Sequence, residues 1–161
     1  MNENSQRKIF SYFNKHNVDC VGVPDSTMKY FIDEGFQKKK ILISTREDEA
    51  IGIASGISLS NKHSLVFMQN AGFANSISTI TSLVQLYKIP MIFLIGWRGY
   101  LSDDAPEHTK IGKIQPKLLK TIGLSHRIID DNNWKNTCMW ALNNLKKKKI
   151  CALIIKRDFH D

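Results

Sequence analysis

The sequence predicts an α/β protein built on a parallel sheet of about six strands, with helices on both faces. Short apolar runs alternate along the chain with amphipathic stretches of helical length, which is the pattern of βαβ units. The runs LVFMQ, MIFLIG and CALII are almost continuously apolar, as is typical of strands that are buried on two sides. At 161 residues, the chain is predicted to form a single domain over 1–161.

Each element follows from its local pattern. Helices are predicted where apolar residues recur at helical spacing, over 4–17, 26–38, 46–60, 73–87, 113–122 and 133–147. Strands are predicted for the short apolar runs between them: Cys20–Val23, Ile41–Ile43, Ser64–Gln69, Met91–Gly96, His126–Ile129 and Cys151–Ile155. A polar loop over 97–112 is the longest irregular segment, and its length favours a functional role.

Composition excludes several classes of protein. The mean hydropathy is -0.26, and no apolar run approaches the ~20 residues of a membrane helix. The first ten residues lack the apolar core of a signal peptide, so we expect a cytoplasmic protein without a membrane partner. Three cysteines in no metal-binding spacing indicate buried, reduced thiols and no metal site in this chain.

The chain is basic, with 23 Lys and Arg against 15 Asp and Glu. Its lysine runs at 38–40 and 146–149 precede predicted strands, where they are expected to be solvated helix ends. No aromatic residues interleave with them, so we predict no nucleic-acid partner. The common phosphate-binding, zinc-protease and hydrolase motifs are absent from the sequence.

Ligands of parallel sheets bind at the carboxyl ends of the strands, where two segments stand out. In the first, Glu47 has capping-box spacing from Ser44, which by itself favours a helix cap. The alternative is a carboxylate that exchanges a proton with a heterocycle nitrogen. In the second, 69–75, small residues and amides suit either a polar ligand or a simple turn at Gly72.

Two glycines, Gly52 and Gly56, lie in the predicted helix 46–60. Because glycine lowers helix stability, the pair suggests a close approach of backbone to another surface. That surface is either the protein's own sheet or another subunit.

Five segments in register resemble the pyrimidine-binding (Pyr) domain of thiamine-diphosphate-dependent decarboxylases. Their order and spacing match over roughly the whole chain, and QNxGxxN with IGWRG is similar to the phosphonopyruvate and sulfopyruvate decarboxylase branch. The segments are GVPDSTMKYF (22–31), STREDEAIGIASG (44–56), FMQNAGFANSISTITSL (67–83), IPMIFLIGWRG (89–99) and EHTKIGKIQ (107–115).

The resemblance implies a Pyr fold and three catalytic residues. Glu47 matches the glutamate that hydrogen-bonds N1′ of the aminopyrimidine ring and promotes removal of the thiazolium C2 proton. Asp25 and His108 match catalytic residues of the loops after the first and fourth strands, although sister decarboxylases often have a His pair where this chain has Glu107–His108. By themselves, Asp25 indicates a helix cap and His108 a solvated loop histidine. The implied cofactor-binding residues are Pro24, Glu47, Gln69, Asn70, Gly72 and Asn75.

Arg98 is the candidate substrate-binding residue. It lies beside a Trp and between two glycines at the end of a predicted strand, where a guanidinium suits bidentate binding of a phosphonate or sulfonate. An exposed loop arginine at the sheet edge is an equal alternative.

The resemblance also implies a partner. The family binds the diphosphate and Mg2+ through a GDG and a later Asn in a separate PP domain, and this sequence has no GDG. We therefore expect the alpha subunit of a split 2-oxo-acid decarboxylase, a carboxy-lyase, with thiamine diphosphate between it and a PP-domain (beta) subunit that holds Mg2+. A hetero-oligomer with at least two copies of each chain is expected, with phosphonopyruvate or sulfopyruvate as substrate.

The alternatives are a Pyr subunit for another 2-oxo acid or carboligation, a non-catalytic Pyr-like binding module, and a flavodoxin-like nucleotide binder.

Overall fold

A computed structural model describes residues 1–101 and 104–157. Its strands are β1 (Val18–Gly22), β2 (Ile41–Ile43), β3 (His63–Gln69), β4 (Ile92–Trp97), β5 (His126–Ile129) and β6 (Cys151–Lys156). They form one sheet in the order β2-β1-β3-β4-β6-β5, and every pair is parallel. The predicted six-stranded parallel sheet is therefore confirmed.

The described residues also form seven α-helices. These are α1 (Glu3–Lys15), α2 (Lys29–Gln37), α3 (Glu47–Leu59), α4 (Asn70–Asn75), α5 (Ile77–Thr79), α6 (Pro106–Thr121) and α7 (Trp134–Lys146). A 3-10 turn, Ser26–Met28, precedes α2, and a π-helical segment, Ile80–Gln85, follows α5. No helix within residues 1–101 and 104–157 is long and apolar enough to cross a membrane.

The sheet separates two apolar cores. Helices α1, α2 and α7 cover one face, whereas α3 and the helices from α4 to α6 cover the other. Alternate residues in the middle of β3 and β4, over 65–68 and 92–95, enter opposite cores, which explains why these two stretches are apolar at every position. All three cysteines are buried and unpaired, and burial raises the pKa of each thiol.

The prediction of a polar loop over 97–112 is wrong from Pro106 onward, because α6 begins there. Proline suits the first helical position, and Glu107 in the first turn suits the helix dipole. Gly112 permits α6 to pack against the backbone of Gly99. Positions 102 and 103 of the predicted loop, and 158–161 of the predicted domain, lie outside the described residues.

The sheet order brings the segments of interest to one edge. β2 lies on one side of β1 and β3 on the other, so the order in which the strands are added to the sheet changes direction at β1. The carboxyl ends of parallel strands at such a reversal form the crevice in which α/β proteins bind ligands. The loops after β2, β1, β3 and β4 therefore lie side by side at a predicted ligand edge.

Candidate active site

Glu47 is the first residue of α3, directly after the loop that leaves β2. The helix start is stabilised by a different acid, because Glu49 accepts hydrogen bonds from Ser44 Oγ at 2.6 Å and Thr45 N at 3.1 Å. These bonds lower the pKa of the Glu49 carboxyl. Within the described residues, Glu47 makes no side-chain hydrogen bond or ion pair. The capping role that the segment alone suggests therefore belongs to Glu49.

The Glu47 side chain occupies space left by a glycine. A Cβ atom at Gly72 would overlap the Glu47 carboxyl group. Gly72 lies inside α4 and is buried, so it does not form the simple turn considered above. An unpaired, partly exposed carboxylate held against a helix backbone at the ligand edge suits exchange of a proton with a heterocycle nitrogen.

Asp25 follows β1, and its side chain is 1% exposed. Its carboxylate accepts a hydrogen bond from Thr27 Oγ1 and does not cap the 3-10 turn that it precedes. Both side chains lie where a Cβ at Gly96, near the end of β4, would be. Sequence analysis missed this role of Thr27 and Gly96, and the available signal was a glycine at the end of an otherwise apolar strand.

Arg98 is held from several sides. Its Nε and Nη2 donate to Asp104 Oδ2 and Oδ1 at 3.1 and 3.0 Å. Its Nη1 donates to Ser26 Oγ at 2.8 Å and lies 3.8 Å from Asp25 Oδ1. The Nε–Nη2 edge of the guanidinium, one of the two edges suited to a bidentate contact, is therefore occupied by an internal carboxylate. A substrate contact through Arg98 stays a prediction, and Nη1 is the guanidinium nitrogen that does not donate to Asp104 and could make this contact.

Asp104 is a buried acid that sequence analysis missed. Besides Arg98, it accepts hydrogen bonds from the backbone N–H groups of Gly99 and Ala105, at 2.7 and 2.8 Å, and from the Arg157 guanidinium. Burial favours the neutral acid, but these donors outweigh it and hold the pKa of Asp104 well below its usual range. Asp104 in turn raises the pKa of Arg98, so both members of the pair stay charged.

Asn70 connects the ends of β3 and β4. Its buried amide donates to Arg98 O at 2.9 Å and accepts from Arg98 N at 3.3 Å. Of the other predicted cofactor-binding residues, Gln69 is half-buried, whereas Pro24 and Asn75 are exposed. The side chains of Gln69 and Asn75 make no hydrogen bond within the described residues, and the predicted contacts of all these residues with a cofactor remain untested.

His108 lies on α6 rather than in a loop, which corrects its predicted setting. Its backbone carbonyl packs against Gly99, whose φ of +69° also requires glycine. Trp97 Nε1 donates to Gly112 O at 2.9 Å and fixes the same helix against β4. The imidazole makes no hydrogen bond within the described residues, so the catalytic role of His108 stays a prediction.

Comparison with known sequence families decides the class of protein. The family described as "Thiamine pyrophosphate enzyme, N-terminal TPP binding domain" matches residues 4–119. The chain belongs to this family. Thiamine pyrophosphate is another name for thiamine diphosphate, so the family match confirms the predicted Pyr domain. The role of Glu47 stays a prediction.

Characterised relatives of this family member include two sulfopyruvate decarboxylase alpha subunits. That of Methanococcus maripaludis is 32% identical over 126 residues, covering 76% of this chain and 75% of its own. That of Methanocaldococcus jannaschii is 34% identical over 114 residues, covering 69% and 68%. A phosphonopyruvate decarboxylase of Streptomyces viridochromogenes is 30% identical over 113 residues, covering 68% of this chain but only 28% of the longer enzyme.

Solved structures of two further enzymes share the fold. A 2-oxoglutarate:ferredoxin oxidoreductase from Magnetococcus marinus has a TM-score of 0.67 at 14% identity over 97% of this chain. A split-gene transketolase, described as an inactive beta4 tetramer, has a TM-score of 0.58 at 12% identity over 96% of it. This chain spans 29% of the first structure and 51% of the second, and at these identities the likeness concerns the fold alone.

Proposed function

We propose that this chain is the alpha subunit of a split, thiamine-diphosphate-dependent decarboxylase. Its substrate would be a 2-oxo acid with a second anionic group, sulfopyruvate or phosphonopyruvate, which yields CO2 and the corresponding aldehyde. The observation that carries the proposal is the unpaired Glu47 carboxylate beside Gly72. The relatives named as sulfopyruvate decarboxylase alpha subunits support both the reaction and the need for a second chain.

Glu47 supplies the proton chemistry in this proposal. Bound thiamine diphosphate would supply an acidic C2 proton and a thiazolium ring that serves as the electron sink for the loss of CO2. Glu47 would share a proton with N1′ of the pyrimidine ring, which only an ionisable side chain can do. A second chain over Glu47 would exclude water and favour this sharing. The partner chain would contain the GDG motif of the family and would hold the diphosphate and Mg2+.

The surface that extends from Glu47 along α3 suits such a partner. We call the outer side of α3 and of the helical segment 70–87 the uncharged face, because 50–61 and 63–87 contain no Asp, Glu, Lys or Arg. In the whole chain, Asp, Glu, Lys and Arg together make up 24% of the residues. Leu59, Leu86 and Tyr87 are between 66% and 69% exposed. A surface segment that lacks charged residues and exposes large apolar side chains is typical of a protein–protein interface.

Gly52 and Gly56 belong to the uncharged face. A Cβ at either position would meet no atom within 4 Å, so neither glycine is needed for packing on the protein's own sheet. Of the two surfaces considered from the sequence, this favours another subunit. We infer that the partner chain packs against α3 at these glycines, with the cofactor at the Glu47 end.

Replacement of Gly56 by leucine separates folding from assembly. Because the position is open and glycine is a poor helix former, we expect Gly56→Leu to raise the stability of the isolated chain by about 0.5–1 kcal/mol. The same side chain should lower the affinity for the partner by at least about tenfold, through a clash in the interface. Thermal unfolding and titration with the partner measure the two effects. Asn136→Leu, on the exposed side of α7, is the control, and equal affinities of the two variants would contradict this interface.

Replacement of Arg98 by lysine tests the substrate class. A sulfonate or phosphonate oxygen would replace the exposed Ser26 Oγ as acceptor of the Arg98 Nη1 bond. We expect Arg98→Lys to reduce kcat/KM for the dianionic substrate more than for pyruvate. The difference should correspond to about 1.5–3 kcal/mol of transition-state binding free energy. The ratio between the substrates is the measured quantity, because structural damage lowers both. An unchanged ratio would show that Arg98 does not bind the distal anion.

Reconstitution tests the proposed function itself. The chain is to be co-expressed with a GDG-containing chain from the same genome and supplied with thiamine diphosphate and Mg2+. Release of CO2 is then followed with sulfopyruvate, phosphonopyruvate and pyruvate. We expect turnover of at least one of the dianionic acids to exceed that of pyruvate. A complex that assembles and binds the cofactor but decarboxylates none of them would contradict the proposal.

A further inference from the structure

Four strand ends converge on one arginine. Arg98, after β4, contacts Ser26 and Asp25 after β1 and is hydrogen-bonded through its backbone to Asn70 after β3. Asp104 joins this group from the segment before α6 and also accepts from Arg157, which directly follows β6. The side chains of Asp104 and Arg98 are 1% and 14% exposed, so the pair that they form is largely shielded from water.

We propose that Asp104 is a positioning residue of the active site, which acts on Asp25 through Arg98. Its carboxylate takes the Nε–Nη2 edge of Arg98 and thereby directs Nη1 towards the loop that carries Asp25. The catalytic consequence rests on the proposed function, whereas the positioning itself does not.

The physical reason is the choice between two carboxylates. With Asp104 in place, Arg98 makes two hydrogen bonds to it and lies 3.8 Å from Asp25, beyond hydrogen-bond distance. If Asp104 is neutralised, Asp25 becomes the nearest counter-charge for a shielded guanidinium. An unpaired buried charge is costly, so Arg98 would move to form a direct pair with Asp25. That movement would pull the β1 loop and occupy the Asp25 carboxylate.

The positioning can be measured in the isolated chain without any cofactor. The reporter is the Met28 amide, which donates to Asp25 O at 3.1 Å. We expect Asp104→Asn to speed hydrogen exchange at Met28 at least about tenfold relative to the amides of β3, which report global opening. Asp131→Asn removes an exposed acid whose carboxylate is hydrogen-bonded, within the described residues, to Asn2 N, and it should leave Met28 unchanged. Unchanged Met28 exchange in Asp104→Asn would overturn the proposal. Should that variant fail to fold, Arg98→Lys, which keeps the cation but loses the fork, is judged by the same criterion.

The catalytic consequence is measured in the reconstituted complex. Asp104→Asn is expected to lower kcat at least about tenfold, but to cause less than about a twofold further loss when Asp25 is already asparagine. A purely structural role would lower kcat equally in both backgrounds and would overturn the link to Asp25. Failure of the proposed function has a different signature, namely a wild-type complex without decarboxylase activity alongside the expected change at Met28.

Discussion

Glu47→Gln is expected to lower the decarboxylation rate of the assembled complex by about 10²–10⁴-fold, the usual contribution of a positioned acid or base. Glutamine has nearly the same shape and should fit beside Gly72, so the fold and the affinity for the partner should be retained. The amide cannot exchange a proton with a ring nitrogen, which is why the rate is lost. Steady-state kinetics, with thermal unfolding of the isolated variant, measures both effects.

The matched control for this prediction is Glu49→Gln, two residues further along α3. Glu49 accepts the hydrogen bonds from Ser44 and Thr45 that stabilise the start of the helix. Its replacement should therefore lower the unfolding temperature and change kcat by no more than about twofold. If the two variants lose activity to the same extent, or if only Glu49→Gln does, Glu47 is not the proton-exchanging residue.

The isolated chain is expected to show no Mg2+-dependent binding of thiamine diphosphate and no decarboxylation. The proposed site offers Glu47 for the pyrimidine ring but assigns the diphosphate and the metal to a second chain. Within the described residues, no group of three or more His, Cys, Asp or Glu side chains is placed to hold a metal ion. Calorimetric titration of the isolated chain with the cofactor and Mg2+ measures this.

Addition of the partner provides the contrast for that titration. Cofactor binding and activity should appear together as the partner is titrated in, because ligands that bind only the complex also stabilise it. Saturable, Mg2+-dependent binding by the isolated chain at the concentrations that saturate the complex would contradict the division of the site between two chains.

The sequence predicts the sheet well because buried parallel strands carry a strong signal. The two cores require apolar residues at every position over 65–68 of β3 and 92–95 of β4, and β2 has the predicted bounds, Ile41–Ile43. Segment 106–112 is less predictable. Pro106 and Glu107 suit a helix start, but the segment is otherwise polar and contains a glycine. The packing of Gly112 against Gly99 is a tertiary contact that no local pattern contains.

The candidate site is only partly predictable, since its residues take their roles from neighbours that are distant in sequence. Three successive acids begin α3, and spacing from Ser44 indicates Glu47 as the cap, whereas the structure uses Glu49. The choice follows from Gly72, which lies 25 positions after Glu47 and provides the space for its side chain. The resemblance to a known family assigns a role to Glu47, but the observation that this carboxylate is unpaired required the structure.

Arg98 shows the opposite case, in which a residue is identified but its contacts are not. The sequence places an arginine at the ligand edge and suggests a substrate anion as its partner. Asp104, six residues later, provides that anion within the chain. Nothing in the spacing of the two residues reveals the pair, because the number of residues between two positions does not determine whether their side chains meet.

Exchange of the C2 proton of thiamine diphosphate for deuterium, in the assembled complex and without substrate, tests the central claim most directly. It isolates the step assigned to Glu47 from substrate binding and product release. We expect Glu47→Gln to slow the exchange by at least about 10²-fold, and Glu49→Gln to exchange at the wild-type rate. Exchange at the wild-type rate in Glu47→Gln, with the cofactor fully bound, would contradict the account.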